Sequence, residues 1–194
     1  MRIFCATSNP GKLHEFRLAG EEFQVQVEPL GKLAGLPPCE ETGATFEENA
    51  RLKAAYYGQH ADGLLFAEDS GLEVDALGGA PGVFSARFAG EKATDEENNR
   101  LLLEQMRGVH NRAGRFVCVV AVANGSEILR TFRGTVEGTI LDQPRGSQGF
   151  GFDPLFYYPP FGSSFGEAPR EKKMTVSHRG QALRDMFRWL RSRQ

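Results

Sequence analysis

Apolar and polar positions in the first part of the chain alternate between strand-like and helix-like spacing. The apolar run Arg2–Thr7 and the alternating segment Phe23–Pro29 predict strands, and Lys12–Ala19 between them predicts a short helix. Two further short apolar segments, Leu64–Glu68 and Leu72–Leu77, predict additional strands. Strands separated by helices are typical of an α/β fold.

Two sequence patterns typical of helix N-termini predict two helices. Thr45 and Glu48 form a capping-box pattern, and Thr94 and Glu97 repeat it before a helix expected to end near Met106. The first of these helices has one largely apolar face that also carries a lysine. That face comprises Phe46, Ala50, Lys53, Ala54 and Tyr57.

The C-terminal half of the chain predicts a hairpin and a final helix. Arg115–Ala123 and Glu127–Glu137 are β-rich and flank Asn124-Gly125, which is typical of a tight turn. Ser177 is placed to cap the final helix, which has a clear amphipathic stripe. The stripe comprises Ala182, Leu183, Met186, Phe187 and Leu190.

Two glycine-rich segments, Gly78–Gly90 and Gly146–Pro160, are expected to be loops. Parallel pairings between alternating strands and helices, together with an antiparallel hairpin, predict a mixed sheet rather than a purely parallel one. Neither repeats nor a linker divide the sequence, so we expect one domain over residues 1–194.

Composition narrows the class of protein. The net charge of −2 argues against a general nucleic-acid binder, which is usually basic. The three cysteines match neither a disulfide scaffold nor a zinc site, which suits the reducing cytoplasm. The sequence contains no signal-peptide pattern and no apolar stretch of membrane-spanning length. We therefore expect a cytoplasmic protein with a small-molecule partner.

The strongest candidate for anion binding is the segment TSNPGK at residues 7–12, between a strand and a helix. A glycine-containing turn that begins a helix presents backbone N–H groups to an anion, and the hydroxyls and Lys12 add further donors. The spacing is not that of a P-loop. Without other signals, an ordinary strand-to-helix turn explains this segment as well.

Acidic residues form a second candidate group. Glu68 and Asp69 end an apolar strand, where side chains of α/β sheets face the crevice that binds ligands, and Glu40 and Glu41 lie in a loop. Mg²⁺ favours one or two carboxylates together with substrate phosphates. Lys53 points inward on its helix, so a phosphate or a carboxylate near Asp69 is its expected partner. Solvated loop charges and a snorkelling lysine are the alternatives.

Two further segments combine aromatic, glycine and cationic residues. The loop GFGFDP at residues 149–154 provides a flat aromatic face on which a base can stack, although such a loop also fills cores. Lys173, His178 and Arg179 are expected to cluster near the N-terminus of the final helix, where the helix dipole favours anions.

In combination these segments resemble the inosine triphosphate pyrophosphatase family. The matching stretches are TSNPGK at 7–12, EETGATFEENARLKA at 40–54, FAEDSGLEVDALGGAPGVFSARFAG at 66–90, GFGFDP at 149–154 and SHRGQAL at 177–183. Ser8 replaces a glycine found in many members, and Glu68 replaces an aspartate found in many bacterial members. The resemblance implies an α/β fold with an elongated mixed sheet flanked by helices, two lobes with a central cleft, and a homodimer.

The resemblance also implies a reaction and a set of roles. The enzyme is expected to hydrolyse non-standard purine nucleoside triphosphates (ITP, dITP and XTP) to the monophosphate and pyrophosphate, with Mg²⁺ as cofactor, and so to keep these nucleotides out of DNA and RNA. Asp69 and Lys53 would be catalytic, and Glu40 and Asp69 would bind the metal, with Glu41 and Glu68 as second candidates. The substrate would be bound by Thr7, Ser8, Asn9, Pro10, Gly11, Lys12, Ser70, Phe150, Gly151, Phe152, Asp153, Lys173, His178 and Arg179.

Two other functions stay open at this point. A Maf-like pyrophosphatase would act on pyrimidine or other modified nucleotides, and a regulator would bind a nucleotide without cleaving it. The segments SHRGQAL and GFGFDP favour the purine enzyme over the first alternative. Asp69, Lys53 and Glu40 argue against the second, because a binding protein does not need a carboxylate that activates water.

Overall fold

The computed structural model describes residues 1–193 and contains one mixed sheet with α-helices. The strands are β1 (Arg2–Cys5), β2 (Gln26–Pro29), β3 (Leu64–Val74), β4 (Ala113–Asn124), β5 (Glu127–Ile140), β6 (Phe156–Tyr158) and β7 (Ser163–Ser164). The helices are α1 (Pro10–Glu21), α2 (Phe46–Gly58), α3 (Asp95–Gln105), α4 (Arg170–Val176) and α5 (His178–Arg191). Gln194, the last residue of the predicted domain, lies outside the described residues.

The sheet has seven strands in the order β2-β1-β3-β4-β5-β6-β7. Strand β1 pairs in parallel with β2 and β3, whereas β6 pairs antiparallel with β5 and β7. The predicted α/β class and the mixed sheet are therefore confirmed. A parallel part arises where helices connect the strands, and an antiparallel part where the connections are short.

The chain forms two compact units. Unit 1 comprises Met1–Asp69, Cys118–Gly134 and the residues from His178 onward, and unit 2 comprises Ser70–Val117 and Thr135–Ser177. Strands β3, β4 and β5 contribute residues to both units. The expectation of a single functional domain is not tested by this division and stays a prediction.

Unit 1 buries the apolar faces of its helices. All five residues of the predicted α5 stripe are fully buried, and α5 packs on α1. Phe16 of α1 meets Phe66 of β3 edge-on, with ring centroids 5.0 Å apart. Thr45 forms the predicted capping box with Glu48 at the start of α2. These local signals therefore position the helices that carry several candidate residues.

Unit 2 has an apolar core in which aromatic rings predominate. Phe156 and Phe116 pack with ring centroids 4.5 Å apart, and Phe152 is 4% exposed in the same cluster. Helix α3 begins at the predicted capping box of Thr94 and Glu97 and contributes the fully buried Leu102 to this core.

Several predicted elements differ from the structure. The strand expected at Leu64–Glu68 and most of the one expected at Leu72–Leu77 form a single strand, β3, because Gly71 does not turn the chain. The last three residues of the second prediction, Asp75–Leu77, form a 3₁₀ turn instead. A Cβ at Gly71 would lie 2.5 Å from the carbonyl oxygen of Gly82, so glycine allows a close approach of backbone here. The Gly78–Gly90 loop contains a 3₁₀ helix at Gly82–Arg87.

The expected loop at Gly146–Pro160 includes a 3₁₀ turn at Asp153–Leu155 and strand β6. Helix α4 was not predicted, because a seven-residue helix is too short to develop an amphipathic stripe. No helix within residues 1–193 combines the length and the apolar composition needed to cross a membrane.

Candidate active site

The turn between β1 and α1 in unit 1 is built to receive an anion. Asn9 caps α1 and accepts a hydrogen bond from the backbone N–H of Lys12 at 3.0 Å, while its own N–H donates to Thr7 Oγ1 at 3.2 Å. Pro10 follows at the first helical position, and the first turn contains no acidic side chain. The positive end of the helix dipole is therefore not offset by a carboxylate from this turn.

Lys12 extends from this turn to a buried carboxylate. Its Nζ lies 2.5 Å from Glu68 Oε1, and the Glu68 side chain is only 3% exposed. The thiol of Cys118 lies 3.3 Å from Glu68 Oε2. Burial raises the pKa of Glu68, but Lys12 and Arg179 outweigh this effect and hold the pKa well below its usual range. Glu68 is therefore ionised and enclosed by donors.

Arg179 contacts Glu68 and a second buried carboxylate, Glu15, which the sequence analysis did not single out. Its Nη1 donates to Glu15 Oε2 at 2.7 Å, and its Nη2 lies 3.6 Å from Glu68 Oε2. Glu15 is fully buried on α1, and Arg179 is 2% exposed in the first turn of α5. The pKa of Arg179 is lowered by burial but raised more strongly by Glu68 and Glu15, so the net shift is upward.

We refer to Lys12, Glu15, Glu68, Cys118 and Arg179 as the Glu68 cluster. A second group in unit 1, the Asp69 cluster, comprises Glu41, Asn49, Lys53 and Asp69. Lys53 Nζ donates to Asp69 Oδ1 at 2.7 Å and to Glu41 Oε2 at 3.0 Å. The expected carboxylate partner of Lys53 is therefore Asp69 itself, with Glu41 as a second partner. The Glu41 side chain is 29% exposed, so this cluster opens toward solvent at one side.

Asp69 and Lys53 shift each other's pKa. Burial raises the pKa of Asp69 to about 6, although Lys53 acts in the opposite direction through its charge and its hydrogen bond. Burial lowers the pKa of Lys53, but Asp69 and Glu41 outweigh this effect and raise it. Asp69 is therefore a carboxylate with enhanced basicity beside a protonated lysine, as general-base chemistry requires.

Asn49 is a further member of this cluster that sequence reasoning missed. It is fully buried, its Nδ2 donates to Asp69 Oδ2 at 3.4 Å, and its Oδ1 accepts from the backbone N–H of Gly43 at 2.8 Å. It thereby joins Asp69 to the loop that precedes α2. The available signal was a polar residue within the apolar face that contains Phe46 and Lys53.

The carboxylates of this cluster are the candidate ligands for a divalent cation. Asp69 and Glu41 contact the same ammonium group, so both carboxylates lie within reach of one cation-sized position. Mg²⁺ is usually bound through one or two carboxylates together with substrate phosphates. Glu40 is exposed, and its assignment as a ligand stays a prediction. In residues 1–193, no group of three histidine, cysteine or acidic side chains is placed to hold a metal.

The GFGFDP loop in unit 2 is held by a buried ion pair. Lys173 Nζ lies 2.6 Å from Asp153 Oδ2, and the same oxygen accepts the backbone N–H of Phe150 at 3.0 Å. Gly149 has a φ of +76°, and a Cβ there would overlap the Asp153 carboxylate. Lys173 Nζ also lies 5.1 Å from the centroid of the partly buried Phe150 ring. The loop therefore presents Phe150 from a fixed backbone.

The position of Lys173 differs from the expectation, whereas His178 and Arg179 lie at the start of the final helix as expected. Lys173 is not at the start of the final helix, because it lies in the last turn of α4, in unit 2. His178 and Arg179 are buried in unit 1, where Arg179 is neutralised by carboxylates. The ring of Phe152 packs in the core of unit 2, whereas Ser70 is half-buried on β3.

The fold and these sites define an α/β protein with an anion-binding turn and a basic carboxylate in one unit. The chain belongs to the Ham1 family, whose model matches residues 3–189. It is 51% identical to a dITP/XTP pyrophosphatase of an Exiguobacterium species, a match that covers 96% of this chain and 95% of the relative. It is 48% identical to a dITP/XTP pyrophosphatase of Acidobacterium capsulatum, covering 95% of each chain. The structure of a HAM1 protein from Coxiella burnetii superimposes with a TM-score of 0.89 at 36% identity, covering 99% of each chain.

Proposed function

We propose that this chain is a pyrophosphatase that hydrolyses dITP, ITP and XTP to the monophosphate and pyrophosphate. Its relatives named dITP/XTP pyrophosphatase, at about half identity over nearly the full length, support this function. The observation that carries the proposal is the contact of Lys53 with Asp69, a buried carboxylate of raised pKa. A protein that only binds nucleotides does not need such a base.

The proposed reaction is attack of water on a phosphorus, with pyrophosphate as the leaving group. Asp69 accepts the proton of the attacking water, while Lys53 holds Oδ1 and Asn49 approaches Oδ2. A base with a pKa of about 6 is largely ionised at neutral pH and still basic enough to accept a proton. Lys53 keeps the carboxylate oriented between turnovers.

We assign the polyphosphate to the turn at residues 7–12. Phosphoryl transfer depends on positioning and on charge neutralisation more than on covalent chemistry. The N-terminus of α1 supplies backbone N–H groups, the hydroxyls of Thr7 and Ser8 add donors, and Lys12 supplies a positive charge. Lys12 is only 24% exposed, and its ion pair with Glu68 limits the positions that its ammonium group reaches.

A magnesium ion is the proposed cofactor, with Asp69 and Glu40 as its protein ligands and Glu41 as the alternative to Glu40. When bound, Mg²⁺ would neutralise phosphate charge and polarise the phosphoryl group that is attacked. The pair of carboxylates in the Asp69 cluster supports this proposal, because Mg²⁺ is usually bound through one or two carboxylates together with substrate phosphates. The state of assembly that we propose is a homodimer, and the preference among ITP, dITP and XTP stays open.

We propose that the purine base is recognised by aromatic stacking and by hydrogen bonds that select its 6-oxo group. Phe150 would stack on the purine, with Gly151, Asp153 and Lys173 supporting that ring. Donors near His178 and Arg179 would bind the 6-oxo group of hypoxanthine or xanthine and would face another donor in ATP. A polar mismatch of this kind discriminates by about 10⁴-fold in favourable cases. Because Arg179 already binds Glu15 and Glu68, we expect backbone N–H groups or His178 to provide the selection.

The proposal is tested by measuring pyrophosphate release from a panel of nucleotides. We expect kcat/KM for ITP, dITP and XTP to exceed that for ATP and GTP by at least about 10²-fold, and activity to be lost in EDTA and restored by Mg²⁺. Equal kcat/KM for ITP and ATP would contradict the selectivity. Preferred cleavage of pyrimidine nucleotides would support the Maf-like alternative, and tight ITP binding without pyrophosphate release would support a regulator.

A further inference from the structure

Helix α3 in unit 2 binds both backbone polar groups of Gly151. Asp95 Oδ2 accepts the N–H of Gly151 at 2.6 Å, and Asn99 Nδ2 donates to the carbonyl oxygen of Gly151 at 3.0 Å. Residues four apart on a helix lie on the same face, so both side chains reach the same peptide segment. Gly151 directly follows Phe150, the residue to which we assign base stacking.

The helix that makes these contacts is itself well anchored. Its N-terminus is closed by the capping box of Thr94 and Glu97, and Leu102 and Met106 are fully buried in the core of unit 2. Asp95, at the first helical position, also suits the positive end of the helix dipole. The two hydrogen bonds therefore connect Gly151 to a rigid element rather than to another loop.

The burial of Asn99 indicates that its hydrogen bond to Gly151 matters. Asn99 is 9% exposed, and within residues 1–193 its buried Oδ1 has no hydrogen-bond partner. A buried polar atom without a partner destabilises the fold, so an apolar side chain would suit packing alone better. The side chain's Nδ2 contact with Gly151 is the interaction that gives asparagine an advantage at this position.

The loop has little other support on this side. A cavity of about 920 Å³ lies against α3 and residues 146–151, and Asp95, Asn99, Phe150 and Gly151 all line it. On its other side the backbone of Phe150 is held by Asp153, which Lys173 neutralises. The hydrogen bonds that hold this segment thus include one at the N–H of Phe150, one at its carbonyl oxygen from Asp153 N–H, and two at the next residue.

We propose that Asp95 and Asn99 are positioning residues that fix the Phe150 ring for the base half of the nucleotide. This inference rests on the proposed function, because it takes Phe150 as the stacking surface. Aromatic stacking depends on ring position, so loosening Gly151 weakens contact with the base. Pyrophosphate has no base to stack on the Phe150 ring, so we expect its affinity to stay unchanged.

The experiment compares the two reaction products as competitive inhibitors of ITP hydrolysis. Inosine monophosphate reports on base binding, and pyrophosphate reports on phosphate binding. Asn99→Asp keeps the shape and removes the donor, and Asn99→Ala removes the side chain. For both variants we expect the Ki of inosine monophosphate to rise about tenfold, and KM for ITP with it. The Ki of pyrophosphate and kcat should stay within about twofold of wild type.

The acidic partner is tested with matched variants of the same helix turn. Asp95→Ala is expected to weaken inosine monophosphate binding, whereas Asp95→Asn keeps an acceptor for the N–H of Gly151 and should restore most of it. Glu96→Ala removes a first-turn charge without a contact to the loop, so it controls for the helix dipole. Asn98→Ala controls for loss of a buried asparagine, because Asn98 bonds instead to Ala86 and Ala89.

Each outcome bears on a different claim. If Asn99→Asp and Asn99→Ala lower only thermal stability and leave the Ki of inosine monophosphate unchanged, the residues are structural and the positioning role is wrong. Equal weakening of inosine monophosphate and pyrophosphate binding also overturns it, because the effect then is not confined to the base half. A wild-type protein that releases no pyrophosphate from ITP instead overturns the proposed function, and this inference with it.

Discussion

Glu68 and Asp69 are neighbours on strand β3, yet the Glu68 cluster and the Asp69 cluster surround them very differently. Successive residues of a strand point to opposite faces of the sheet. Glu68 therefore meets Lys12 and Arg179 from α1 and α5, whereas Asp69 meets Lys53 from α2. The pKa of Glu68 is lowered well below its usual range, whereas burial raises the pKa of Asp69 to about 6.

The difference separates a structural carboxylate from a reactive one. The Glu68 carboxylate lies beside the cations of Lys12 and Arg179, and it accepts a hydrogen bond from the thiol of Cys118. It is ionised in a closed environment, where the two cations stabilise its charge. Asp69 has Lys53 as its charged partner, shares it with Glu41, and remains basic. Of two carboxylates adjacent in sequence, the less well stabilised one is suited to accept a proton.

The largest expected effect is on catalysis. Asp69→Asn removes the proposed base and should lower kcat for ITP by about 10³-fold, because general-base catalysis contributes about 10² to 10⁴-fold. Pyrophosphate release under saturating Mg²⁺ measures this change. Asp62→Asn, an exposed carboxamide substitution in the same unit, is the control and should stay near wild type. Near-normal turnover of Asp69→Asn would remove Asp69 from the role of base.

The next effect is on stability and concerns the Glu68 cluster. Glu15→Gln leaves the buried Arg179 without its closest carboxylate, and breaking a buried ion pair costs about 3 kcal/mol or more. Urea unfolding followed by circular dichroism should show this loss. Glu21→Gln, an exposed position on the same helix, should unfold like wild type. An unchanged midpoint for Glu15→Gln would show that the cluster does not stabilise the fold.

The smallest expected effect is on thermal stability, and it has opposite signs for substitutions of Asp69 and Glu68. In EDTA at neutral pH, Asp69→Asn removes a buried charge of raised pKa, and Lys53 keeps Glu41 as its carboxylate partner. The substitution should therefore increase stability by about 1 kcal/mol, or raise Tm by about 2–4 °C. Glu68→Gln should lower Tm, because its charge is stabilised by Lys12 and Arg179. Differential scanning calorimetry compares both. Shifts of the same sign would contradict the distinction between the two clusters.

Sequence reasoning succeeded where the determinant is local. Thr45 and Thr94 cap their helices because the interacting residues lie three positions apart, and the α5 stripe follows from helical periodicity. The inward direction of Lys53 followed from the same periodicity. Asp69 is one of the two kinds of partner that were expected for Lys53, because a buried lysine requires a phosphate or a carboxylate.

The parts that the sequence did not reveal depend on tertiary packing. Glu15 and Arg179 are 164 positions apart, and no local pattern pairs them. Asn99 and Gly151 are 52 positions apart, so the support of the Phe150 loop was equally hidden. Lys173 was expected near the N-terminus of the final helix, but it lies within the preceding helix α4, and Ser177 separates that helix from α5.

The ion pair between Glu15 and Arg179 also constrains when the packing of unit 1 can be completed during synthesis. The ribosome releases α1 early, but Arg179 follows only after nearly all of the chain has been translated. Until then Glu15 is a carboxylate without its guanidinium, on the helix that carries the phosphate-binding turn. A nascent chain that stalls before residue 179 therefore contains the turn at residues 7–12 and Asp69 but lacks the cation that joins its first helix to its last.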